Sequence, residues 1–197
     1  MFEERHDLDI RRLRQETEVD HQAVEGAVPL MQEGLTTEQY VQCLQRIYGV
    51  VAAWEDRAAE VAPQWLQPAL TARQRKALLE RDLAWFGVTK HDEGRPALPE
   101  MNDLASLFGT IYVMEGSTLG GQFIARHVET ALNLSEGQGN SYFRGHGNQT
   151  GLMWKEFCDM LKLRIPDEQT EAVVVSAKAM FSTFGMWMQG KSVVDGS

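Results

Sequence analysis

Residues 112–123 read YVMEGSTLGGQF, and they break into an otherwise helical pattern with Gly116, Ser117, Gly120 and Gly121. Gly109 lies a turn or so upstream. A glycine inside a helix costs about 1 kcal/mol relative to alanine, so four of them cost about 3–4 kcal/mol, a sizeable part of a domain's ~5–15 kcal/mol. Something must compensate. Two readings are open. Gly116 and Gly120 form a small-xxx-small pair, which lets a second helix approach closely. Alternatively the backbone passes close to a bound molecule, the other use of glycine. Small residues spaced about a turn apart clear a flat strip along one side of a helix, and a flat strip suits a flat ligand. The Gly120-Gly121 pair also permits a kink.

Outward from this stretch the chain reads as helix almost throughout. Apolar positions recur from Leu8 to Met31, at Leu13, Val24 and Val28, until Pro29 bends or ends the segment. Thr36 and Gln39 form a capping box and open a helix with Tyr40, Leu44, Ile47, Tyr48 and Val51 on one stripe. Pro63 and Pro68 break it. Thr71 and Gln74 form a second capping box, leading a helix to about Phe86 with Gly87 as its stop. Residues 88–100 read as a loop, a long helix spans about 102–132, and the glycine-rich 135–151 is again a loop. Helices over about 152–163 and 167–189 complete the chain, and 191–197 is a loose tail. No strand alternation, internal repeat or linker is present. The expectation is one all-α domain over 1–197, a bundle of six to eight helices.

A net charge of −9 argues against a general nucleic-acid binder. No apolar run approaches the ~20 residues of a membrane span. MFEERHDLDI has no apolar core and is no secretory signal. Cys43 and Cys158 stand apart, without CxxC spacing, and read as thiols of a reducing cytoplasm.

A flat cofactor that needs a metal ligand calls for a histidine on another helix. His6 lies near the terminus, His91 and His146 fall in loops, and His127 is on the glycine helix itself. His21, in LRQETEVDHQAVEGA, is the candidate; its bland alternative is a solvent-facing helical histidine. Arg14 is seven residues earlier, two turns or about 10.5 Å along nearly the same face, where it could pair with a carboxylate of a heme edge. Glu25, four residues later, could accept from the imidazole N–H and fix its tautomer. Arg11 and Arg12 read as a solvated basic face.

LRQETEVDHQAVE and YVMEGSTLGGQF together resemble the bacterial heme oxygenase family. One pattern is carried by Leu13, Arg14, Thr17, His21 and Glu25, the other by Glu115 to Gly121. The resemblance implies heme held between a proximal helix with His21 as axial ligand and a kinked distal helix bordered by Gly116, Gly120 and Gly121. It implies oxidative opening of heme to biliverdin with release of CO and iron. O₂ and electrons from a ferredoxin or an NAD(P)H-dependent reductase would be consumed, by a monomer or weak dimer. Ser117 stands where animal-type enzymes carry a water-ordering aspartate. Lys155 falls where the family has a basic residue near the propionates, and Phe181 and Phe184 could wall the pocket. The bland readings are a surface lysine and simple core aromatics.

Rival classes remain on the residues alone. A carrier or sensor of heme would use the same ligand and pocket. A di-iron protein needs Glu-x-x-His on two helices, but Glu18-x-x-His21 and Glu3-x-x-His6 share one segment. A thiamin-degrading relative needs an activated cysteine, and neither Cys43 nor Cys158 has an activating neighbour in sequence. Arg11, Arg12 and Arg14 are the candidate docking patch for an acidic electron donor.

Overall fold

The structure is a computed structural model that describes residues 10–90 and 94–191. His6, His91, the start at Leu8 and the tail 192–197 lie outside these. Among the described residues eight α-helices follow one another: α1 (Ile10–Ala27), α2 (Thr37–Val61), α3 (Gln67–Thr71), α4 (Lys76–Trp85), α5 (Leu104–Leu132), α6 (Ser141–Arg144), α7 (Thr150–Arg164) and α8 (Thr170–Met188). Two 3₁₀ turns, Gly147–Gln149 and Asp167–Gln169, precede α7 and α8. No strand occurs among the described residues, so the fold is all-α as the pattern implied.

The local stop and start signals work where their partners are local. Thr36 and Gln39 form the reciprocal capping box, and Pro29 lies just past α1. Gly87 and Gly190 end α4 and α8 with φ of +79° and +73°, in the left-handed region that favours glycine. α5 opens on a capping box the sequence reading did not name, between Asp103 and Ser106.

The second expected capping box does not form. Thr71 is still the last residue of α3, and α4 begins five residues later. Its N-terminus is capped from a distance: the Glu55 carboxylate, on α2, accepts from the backbone N–H of Arg75 (2.6 Å) and Lys76 (2.9 Å). The loop expected over 135–151 also contains a helix. α6 is started by the fully buried Asp82 of α4, which accepts from the N–H of Ser141 (2.8 Å) and Tyr142 (2.7 Å). Both carboxylates satisfy donors that a helix start leaves open, from another element of the chain.

α8 is the strut on which α1 and α5 both pack. A Cβ on Gly109 would stand 2.5 Å from the Val173 carbonyl, so α5 and α8 meet backbone to backbone. Farther along α8, Gly185 faces Val24 of α1. α7 lies against another side of α5, with Phe157 stacked on Phe108 at 6.0 Å and Trp154 tilted against Tyr112 at 5.7 Å. α2 closes the core through Trp54, whose indole N–H donates to Thr110 at 3.0 Å.

Candidate functional site

On α1, Leu13 and Thr17 are buried, four residues apart on one face. Thr17 turns its hydroxyl onto the Leu13 carbonyl at 2.8 Å. His21 comes one turn later and stands half exposed. Its Nδ1 lies 3.7 Å from Glu25 Oε1, an (i, i+4) approach without a short hydrogen bond. Phe181 of α8, itself buried, meets the imidazole edge-on at 5.8 Å. Phe184 packs partly buried against the core. Arg14 is exposed. Thr17 and Arg14 both act on the Tyr112 hydroxyl of α5, opposing the burial that pushes its pKa up. α1 and α5 therefore meet at Thr17 and Tyr112, with His21 one turn from that meeting point on α1 and Gly116 one turn from it on α5.

The glycines of α5 divide into two kinds. Gly109 faces α8 as described, and a Cβ on Gly121 would come 2.5 Å from the Phe143 carbonyl of α6. Gly121 packs backbone to backbone against α6. Gly120 is exposed, and a Cβ there would meet nothing within 4 Å. At Gly116 a Cβ would reach only the Trp154 ring, at an ordinary 3.6 Å. Beside Gly120, Leu119 and Phe123 stand 43% and 68% exposed. Bare backbone flanked by exposed apolar side chains is a surface that a flat, apolar ligand would cover.

Ser117 is not a free hydroxyl. It donates to the Met114 carbonyl at 2.7 Å and accepts from Arg75 Nη2 at 3.1 Å. Arg75 Nη2 also donates to Met114 O at 2.6 Å, and the guanidinium lies 4.8 Å over the Tyr142 ring. Two donors inserted at one carbonyl are a known local cause of helix bending. Beneath α5, Arg73 and Glu115 face each other, both buried. Burial pushes the carboxyls of Glu55 and Glu115 up, against the pull of neighbouring arginines. His146 belongs to this polar group as well: burial, then Arg75 and Arg73, pull its pKa down.

The structure places His21 beside Glu25 and Phe181, and leaves Gly120 open beside the exposed Leu119 and Phe123. Lys155 is exposed, and its ammonium pairs with Asp159 at 2.7 Å. The basic docking patch is also reduced, because Arg12 pairs with Glu16 and Glu171. Cys43 and Cys158 are free thiols, and Cys43 is buried with its pKa pushed up to about 12, no nucleophile. Sequence reading missed Arg73, Arg75 and Tyr142. The available signal was Glu115 itself, one carboxylate ending the apolar run LFGTIYVM, which demands a buried partner.

The sequence profile of the family described as heme oxygenase matches residues 9–190. The chain is 27% identical over 158 residues to a heme oxygenase of Xanthomonas campestris, covering 79% of this chain and 92% of that one. It is 26% identical over 183 residues to the heme oxygenase PigA of Pseudomonas aeruginosa, covering 92% and 91%. The NO- and CO-bound heme oxygenase of Neisseria meningitidis has the same fold, with a TM-score of 0.75 at 21% identity over 94% of each chain. With the profile running across almost the whole chain, this protein belongs to the heme oxygenase family.

Proposed function

We propose that the chain, acting as one domain over residues 1–197, binds heme in the region bounded by α1 and α5. It opens heme oxidatively to biliverdin with release of CO and ferrous iron. Heme, when bound, supplies the iron at which O₂ is reduced and the macrocycle edge that is oxidised, so it is substrate and cofactor together. The residues present fit that group: a half-exposed imidazole, and bare backbone at Gly120 beside exposed Leu119 and Phe123.

His21 would hold the iron through Nε2, with Glu25 beside Nδ1 fixing the tautomer and Phe181 fixing the ring edge. Arg14 would pair with a propionate, as a guanidinium pairs with any carboxylate. Lys155, held by Asp159, is at most a peripheral contributor. Gly116 and Gly120 would let the backbone of α5 lie against the macrocycle. Ser117 gives its proton to Met114 O and so has none to offer a ligand; its role is to hold the turn, with Arg75, while solvent water supplies protons along the open side at Gly120. Electrons would come from an external ferredoxin or NAD(P)H-dependent reductase in the cytoplasm, to a monomer or weak dimer. No helix among the described residues is long and apolar enough to cross a membrane.

The observation that carries this reading is the half-exposed His21, steered by Glu25 and Phe181 one turn from where α1 meets α5. The test is an absorbance titration of the purified protein with hemin, followed by a reductant in air. A sharp Soret band that decays as a bile-pigment band rises supports the oxygenase reading. A Soret band that persists under a competent donor makes the protein a non-degrading heme carrier or sensor. No specific Soret band removes the heme reading altogether.

A further inference from the structure

Glu115 lies about 140° around α5 from Gly120, on the side turned to the core. There the packing leaves a small cavity walled by Trp54 and Ile111 and by four charged side chains: Glu55, Arg73, Arg75 and Glu115. All four charged residues are more than nine-tenths buried. Three hold protein partners. Glu55 caps α4, and Arg75 grips Met114 O and Ser117. Arg73 donates Nη1 to the Ala69 carbonyl at 3.1 Å and Nη2 to the Met153 carbonyl at 3.0 Å.

Two polar atoms are left over. Arg73 Nε and Glu115 Oε1 are buried without any hydrogen-bond partner. They face each other at 3.6 Å, too far for a direct bond. Their charges are paired, and Arg73 Nη2 also lies 3.5 Å from Glu156, but a buried polar atom left without a hydrogen bond is costly. The cavity leaves about 10 Å³ to the centre of a water molecule, which is room for one. One donor and one acceptor beside it supply the two partners a buried water needs.

We propose that this cavity is a water site: one ordered water accepts from Arg73 Nε and donates to Glu115 Oε1, and the linked group of Glu55, Arg75, Arg73 and Glu115 clamps the Met114–Ser117 turn of α5 from the core side. Glu115 and Arg73 are positioning residues. Through Arg75 and the turn they hold, they keep Gly116 and Gly120 at a fixed place on the opposite side of the helix. The water site stands on its own geometry, whereas its consequence for heme rests on the oxygenase reading above.

The test begins with a crystal structure of the unliganded full chain. A water within hydrogen-bond distance of both Arg73 Nε and Glu115 Oε1 is expected, and an empty or protein-filled cavity overturns the site. The clamp is read by hydrogen exchange of the amides over 114–121, with the α8 amides as internal control. Glu115→Leu displaces the water and strands Arg73, so the 114–121 amides should exchange about tenfold faster or more while α8 stays unchanged. Glu115→Gln keeps an acceptor oxygen and should exchange within about threefold of the parent, a rescue a purely bulk effect of the side chain would not give. Should Glu115→Leu fail to fold, the parent's water and the Glu115→Gln exchange rates still decide. Equal exchange in all three proteins, or a uniform rise that includes α8, overturns the clamp. In turnover, Glu115→Leu should redistribute the biliverdin isomers relative to the parent. If the parent turns over no hemin, the oxygenase reading fails while the water and exchange results still judge the clamp.

Discussion

Replacing the glycines of α5 one at a time with alanine separates packing from ligand contact. At Gly121 the new Cβ would lie 2.5 Å from the Phe143 carbonyl, where ordinary contact begins at 3.4 Å, so one backbone must move by about 0.9 Å. At Gly109 three atoms of α8 stand within 2.5–2.9 Å, two of them backbone. Overpacking costs about 1–3 kcal/mol, and fixed backbone puts these sites toward the upper end; the helix-propensity gain of about 1 kcal/mol offsets part of it. Net destabilisation of about 1–2 kcal/mol should lower Tm by about 2–8 °C for a chain of this size. At Gly120 nothing lies within 4 Å of the new Cβ. There only the propensity gain remains, and the unliganded protein should melt about 2–4 °C higher. The same methyl would stand where the macrocycle must lie, so hemin affinity should fall about 5- to 150-fold. The assays are circular-dichroism melts of the unliganded variants and hemin titrations followed at the Soret band. A Gly121→Ala protein that melts above the parent refutes the packing geometry. A Gly120→Ala protein that binds hemin as the parent does refutes the ligand strip.

His21→Ala should leave the unliganded melt within about 0.5 kcal/mol of the parent, since the side chain is half exposed, yet abolish the normal hemin spectrum and turnover; an unchanged spectrum removes His21 from the role. Arg75→Met removes two charge-assisted hydrogen bonds and the contact over Tyr142, and should cost about 3 kcal/mol in chemical denaturation; a loss under about 1 kcal/mol would mean the grip on Met114 and Ser117 does not hold α5. The Cys43 thiol, raised from 9.0 to about 12, holds its proton more tightly folded than unfolded. Its contribution is complete below the unfolded value and is lost as pH rises toward 12, with about 2 kcal/mol gone by about pH 10.5. Cys43→Ala should therefore lose less stability than the parent between pH 8 and 10.5; parallel profiles contradict the burial of the thiol.

Much of the helical layout was legible because its signals are local. The Thr36–Gln39 box, the proline stops and the terminal glycines act within a few residues. The starts of α4 and α6 were not legible, because their caps come from Glu55 and Asp82, 20 and 59 residues away along the chain. His21, Glu25 and Arg14 could be read from helical spacing alone, which places them on one face before any tertiary contact is known. The glycines could be found but not sorted. Gly120 and Gly121 are neighbours in sequence yet point 100° apart, so one faces open space and the other the backbone of α6. Only the packing of a second helix decides which is which.

That sorting answers why a helix would carry so many glycines. Gly109 and Gly121 are compensated inside the protein, by backbone contact with α8 and α6 that no side chain would allow. Gly116 and Gly120 gain no such contact, and their helical cost of about 2 kcal/mol stands uncompensated in the unliganded chain. An uncompensated defect is retained where function needs it, and strain of this kind collects at ligand sites. Along α5, Gly116 stands about one turn and Gly120 about two turns from Tyr112. Binding a flat ligand against that strip would recover the deficit in the complex alone, by mass action on the folded state. On the proposed heme reading, the open glycines and the half-exposed histidine would be two halves of one surface.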